Sequence, residues 1–172
     1  MLDQQIALVP YVNLRIREIE IVRAQRLDAV EAVTLGNRGL IFLHLVLPHT
    51  PWIWDDSANS YTLTSFDSDG YYDNVRLMDR VLGELRVAME GANEWDSTAV
   101  LLLSDHRMRY RPAYLKEPPD PRVPCILKLP GQTQGVAYDN PFSAMVTHDL
   151  VLALLRGELK TPAQATAWLD VR

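Results

Sequence analysis

The sequence predicts an α/β fold in which helices flank a parallel-type sheet. Three observations carry this expectation. Leu40–Leu47 is a continuous apolar run closed by Pro48 and Pro51, the pattern of a strand buried on both faces. A helical pattern follows between Tyr71 and Glu90, and a second apolar run, Ala99–Leu103, comes after it. Strand, helix and strand in that order make a right-handed crossover unit with a parallel pair.

Residues 1–38 read as an N-terminal amphipathic helical segment, and residues 39–172 as the α/β part. In the first, Leu14, Ile16, Ile19, Ile21, Val22, Leu27, Val30 and Val33 alternate with Arg and Glu three to four apart. That spacing predicts a helix over about 12–33, ending near Gly36. In the second helix Val75, Met78, Leu82, Leu85 and Met89 recur at intervals of three and four, and Gly91 is its stop. A third strand, Pro124–Leu129, and a helix from about Val146 to Arg156 continue the alternation. Asp55–Asp69 is polar, and Tyr110–Pro121 holds four prolines, so both read as surface loops.

Composition bounds the function. With 172 residues, 48% of them hydrophobic and 23% charged, the chain has apolar material for one sizeable core. Its net charge of -5 lacks the basic footprint that nucleic-acid binding requires. The longest apolar run falls far short of the roughly 20 residues that cross a bilayer, so the chain as given reads as soluble with no membrane segment. No signal-peptide pattern opens it. The single cysteine, Cys125, cannot form an internal disulfide and is expected to be a buried structural thiol.

Ligands of parallel α/β sheets bind beyond the carboxyl ends of the strands. Two histidines fall there: His49 after the first strand and His106, beside Asp105, after the second. A carboxylate next to an imidazole offers an oxygen and a nitrogen to one divalent cation. The plainer alternative is that Asp105 caps a turn. His44 reads as a hydrogen-bonded core residue, and His148 as a residue at the start of a helix. Trp52 and Trp54 either line a substrate mouth or pack a loop. Arg107, Arg109 and Arg111 alternate, so an extended backbone sets all three on one side, to attract an anion or simply to meet solvent.

The series His44-Leu45-Val46-Leu47-Pro48-His49-Thr50-Pro51-Trp52, a helix with Tyr72 and Asp79, then Asp96-Ser97-Thr98 and a strand into Ser104-Asp105-His106 resembles sulfatase-type members of the alkaline phosphatase superfamily. The likeness continues through Arg122-Val123-Pro124, Cys125–Leu129 and Pro130-Gly131, and spans about Leu40 to Leu155. It implies a partial alkaline-phosphatase-like fold, with Asp105 and His106 as metal ligands and His49 beside the transferred group. Arg107 and Arg109 are then candidate substrate-binding residues. The implied cofactor is a divalent metal (Zn, Mn, Ca or Mg), and the implied substrate a small anionic sulfate or phosphate ester.

The chain departs from that pattern in two places. Arg107 occupies the position where the family has Gly after Asp-His. The family's nucleophile-bearing half has no counterpart before Leu40, and no Cys-x-Pro-x-Arg motif occurs. The expectation is therefore a fragment of a metal-dependent sulfatase or phosphoesterase/phosphotransferase-like hydrolase, inactive alone, that self-associates through an uncovered sheet surface. The alternatives are a non-catalytic anion- or protein-binding α/β module and a half-enzyme completed by another chain.

Overall fold

Helix α1 (Leu2–Thr34) begins well before the expected start near Val12 and runs through Pro10. The computed structural model describes residues 2–36, 39–64, 69–107 and 120–172. Among them are α1, the two-residue strands β1 (Trp54–Asp55) and β2 (Ser60–Tyr61), α2 (Asp69–Gly91), β3 (Val100–Leu103) and β4 (Cys125–Lys128). A 3-10 turn (Ala144–Val146), α3 (Thr147–Leu155) and α4 (Pro162–Leu169) follow. The content is thus mixed helix and sheet, as the sequence predicts at that level. The chain divides into two units, Met1–Ala92 and Asn93–Arg172. Segment 1–38 therefore shares a unit with the residues that follow it as far as Ala92.

In the first unit α1 packs against α2. The inward positions of α1 are Arg15, Ile19, Val22, Ala29 and Val33, and those of α2 are Asn74, Leu77, Val81, Leu85 and Met89. Steps of three, four and seven keep each set on one face. The stripe on α2 is rotated from the expected one, since Val75 is exposed and Met78 and Leu82 are half-buried. Ile19, Val22, Ile53, Trp54 and Leu77 form the core, with Val46, Leu47, Tyr61 and Leu63 against it. Arg26 of α1 ties the layers at their rim: its guanidinium forks onto Glu84 of α2 and donates to the Tyr61 hydroxyl at 2.9 Å.

Leu40–Leu47 is not a strand here, which corrects the first of the three expectations. Leu40 and Phe42 are 61% and 84% exposed, so the run lacks the two covered faces its composition implied. Its backbone is held by a side chain instead. Gln25 of α1 donates to the His44 carbonyl at 3.0 Å and accepts from the Val46 amide at 3.1 Å, taking the groups a neighbouring strand would use. Asp55–Asp69, expected to be a loop, contains the β1–β2 hairpin, with Trp54 opposite Tyr61 and Asp55 opposite Ser60. The Asp55 carboxylate closes its turn by accepting from Ser57 Oγ at 2.7 Å and the Ala58 amide at 2.9 Å.

In the second unit β3 and β4 lie where the sequence placed them, but they pair antiparallel, Val100 opposite Lys128 and Leu103 opposite Cys125. Both described sheets are antiparallel, so the parallel sheet is corrected. The physical reason is the expected partner: Leu40–Leu47, whose backbone Gln25 holds, forms no strand to pair with β3 across α2, and β3 pairs with Cys125–Lys128 instead. Leu101 and Leu127 pack against Leu150 and Ala153 of α3 and against Leu159. Lys128 turns back over the Trp95 ring at 4.6 Å and donates to the carbonyls of Trp95 and Thr98. The expected helix near 146–156 is α3. Helix α4, not foreseen, starts at a capping box in which Thr161 and Gln164 satisfy each other's backbone amides.

Candidate functional site

His49 sits in a turn built by its flanking prolines. Both Leu47-Pro48 and Thr50-Pro51 are cis, and the His49 amide donates to the Val46 carbonyl at 2.9 Å. The turn then enters the core, where Trp52, Ile53 and Trp54 are buried. Trp52 and Trp54 thus pack the interior, and Trp54 also lines the open groove between α1 and α2. Two side chains hold the turn. Buried Arg15 donates to the Trp52 carbonyl at 2.7 Å, and buried Asn74 donates to the His49 carbonyl and accepts from the Ile53 amide, each at 3.0 Å. Glu18 of α1 lies near enough to feel the charge of His49.

The His49 imidazole is exposed, and its Nδ1 lies 2.5 Å from the Thr50 carbonyl oxygen. A carbonyl can only accept, so in the neutral ring Nδ1 carries the proton and Nε2 keeps its lone pair. Burial pushes the Glu18 carboxyl above its ordinary value, and the charge of nearby His49 pulls it part of the way back. Between the ordinary and the raised value the folded chain therefore holds more proton than the unfolded chain. Stability falls as pH rises through that window. Glu18→Gln is expected to flatten this slope; urea midpoints measured from pH 4 to 7 check it, and an unchanged slope would refute the assignment.

Asp105 and His106 follow β3 after Ser104, at the carboxyl end of a strand that pairs antiparallel. His106 Nδ1 lies 2.7 Å from the Arg107 carbonyl, so this ring too keeps its Nε2 lone pair, and Ser104 Oγ pins the corner by donating to the His106 carbonyl at 2.7 Å. His106 Nε2 stands 3.9 Å from Asp105 Oδ1. That is within reach of one ion with bonds of about 2.0–2.2 Å to nitrogen and oxygen. Residues and metal fit chemically. Among the described residues no group of three or more His, Cys, Asp or Glu gathers around a common point, so the pair is all that the described residues gather there.

Arg107 is half-buried, while Arg109 and Arg111 lie outside the described residues. Arg122 forks onto Asp120, with Nη2 to Oδ2 at 2.6 Å, and holds that carboxyl down to about 2. His44 is exposed rather than in the core, and His148 pairs with Asp149 at the start of α3. Cys125, expected to be buried, is exposed. The His49 turn belongs to the first unit and the Asp105-His106 corner to the second. An open groove of about 680 Å³ in the first unit holds neither: its cations are already engaged, Arg26 by Glu84 and Arg80 by Asp56.

Sequence reasoning missed Asn74 and Gln25. Each is a polar residue at helical spacing among inward apolar ones, a signal that hydrophobic periodicity treats as noise. No described helix is long and apolar enough to cross a membrane. No protein-family model, curated protein or solved structure matches the chain.

Proposed function

We propose that this chain carries part of the active site of a sulfatase- or phosphoesterase-like hydrolase, with Asp105 and His106 as metal ligands and His49 as the group beside the transferred sulfuryl or phosphoryl. The supporting observation is the Asp105-His106 corner. His106 donates Nδ1–H to a backbone carbonyl and keeps Nε2 toward the carboxylate, the arrangement that orients ligating histidines. A divalent ion held there would supply Lewis-acid stabilisation of charge on the ester. Of the chain's own residues, Arg107 and Arg109 would attract the anionic substrate, and His49 Nε2 keeps a lone pair that can accept a proton. The nucleophile and further ligands come from outside these residues, so the chain alone is inactive.

Among the described residues the outer edges of the β3–β4 pair have no strand neighbour, and Ile126 is 58% exposed. Such edges template pairing with a second copy. Light scattering at micromolar concentration is expected to detect self-association, and a strictly monomeric species would count against an uncovered sheet.

Zinc tests the site itself. Two protein ligands are one short of the usual three, so binding should be weak. Its NMR shifts should concentrate on Asp105 and His106 and vanish in His106→Ala. Aryl sulfates and aryl phosphates should show no turnover above a metal-only control. Zinc shifts that spare residues 104–107 would sink the ligand assignment. Turnover abolished by His106→Ala would overturn the claim of inactivity.

A further inference from the structure

Asn74 is fully buried, on the face of α2 that otherwise presents Leu77, Val81 and Leu85 to the core. A buried amide costs stability unless its donor and acceptor are both used. Here both are, on residues 49 and 53, the two ends of the turn. With proline at 48 and 51 the turn has lost two backbone donors, and the β1–β2 hairpin reaches it only at the Ile53 carbonyl, which accepts from the Thr62 amide at 2.8 Å and leaves the Ile53 amide to Asn74. The side-chain amide stands in for a ladder. Only the backbone of His49 is gripped, while its imidazole stays exposed.

We propose that Asn74 is a positioning residue for His49: its buried amide clamps the turn and so fixes the direction in which the imidazole presents Nε2. The proposal rests on the reading of His49 given above. Preorganisation of this kind removes the need to order a catalytic group when substrate arrives. An apolar residue of the same size would fill the core equally well but could not grip the turn. The charged groups around the turn are Arg15, donating to the Trp52 carbonyl, and Glu18, which lies near enough to feel the charge of His49.

The test is Asn74→Asp in the full chain, read by long-range ¹H–¹⁵N NMR of the His49 ring, assigned with His49→Gln. A protonated carboxyl at position 74 can accept from the Ile53 amide and donate to the His49 carbonyl; an ionised one loses the second bond. The wild type is expected to hold the single Nδ1–H tautomer wherever its ring is neutral. The variant should show mixed tautomers when the introduced carboxyl is ionised, and recover the Nδ1–H form as that carboxyl protonates while the ring remains neutral. A folded variant whose His49 signals match the wild type at every pH would overturn the proposal. Should the variant fail to fold, wild-type hydrogen exchange decides: the Ile53 amide is expected to exchange at least ~10²-fold more slowly than an open peptide. Exchange at the open-peptide rate would refute the clamp. None of these readouts uses zinc or turnover, so failure of the hydrolase reading and failure of the clamp are distinguishable.

Discussion

Leu77→Ala is expected to destabilise the first unit by about 2–5 kcal/mol, the range for truncating a fully buried leucine. Leu77 is 1% exposed and touches a cluster drawn from α1 (Ile19, Val22) and from the segment after Pro51 (Ile53, Trp54). Those segments cannot all move toward one vacated site, because Arg15 and Asn74 already fix the turn between them. Most of the cavity therefore persists. Urea unfolding followed by tryptophan fluorescence measures the loss, since Trp52 and Trp54 are buried in the same unit. Leu82→Ala is the control: it belongs to the hydrophobic stripe but is half-buried, so it should cost clearly less. Equal costs at the two positions would mean that the inward face of α2 has been wrongly assigned.

That pair of leucines marks what the sequence made legible. The existence and length of α2 followed from its three-and-four spacing, yet its face did not, because Asn74 occupies an inward position that a hydrophobic pattern leaves blank. Position of the strands was readable and their direction was not: Val100–Leu103 and Cys125–Lys128 are where the apolar runs lie, but nothing in an apolar run says which way its neighbour points. Leu40–Leu47 failed for a different reason. Its composition asks for two covered faces and a ladder on each side, and within the described residues it meets the Gln25 side chain, the His49 amide and, at Val46 and Leu47 alone, the core. Helix α4 had a usable signal in Thr161-Pro162-Ala163-Gln164, a capping box with proline at the first position. The two-residue strands β1 and β2 had none, being too short for any periodicity. For the candidate site, the sequence placed Asp105 and His106 just after an apolar run, and they do follow β3, whereas Asn74 emerged only from the distances.

Leu150→Ala is expected to cost the second unit a similar amount, about 2–5 kcal/mol, and to act first on the β3–β4 pair. Leu150 is 2% exposed and, with Ala153 and Leu159, covers Leu101 and Leu127. A two-stranded ribbon is marginal in water unless something packs on its face, so the strands depend on α3 for their order. Removing the most deeply buried leucine of that contact should raise amide exchange across Val100–Leu103 and Cys125–Lys128, by ~30-fold for each 2 kcal/mol lost. Lys128 limits how far the damage spreads. Its bonds to the Trp95 and Thr98 carbonyls do not involve α3 and keep the start of β3 attached to the end of β4. Among the described residues the opposite end shows no such tie, and it is there that Leu103 leads into Asp105 and His106. Exchange should therefore rise more at Leu102 and Leu103 than at Val100, and the zinc-induced shifts at Asp105 and His106 should weaken in the same variant. A uniform rise along β3, with those shifts intact, would show that the metal-ligand corner is held by Ser104 and its own backbone and owes nothing to the packing of α3.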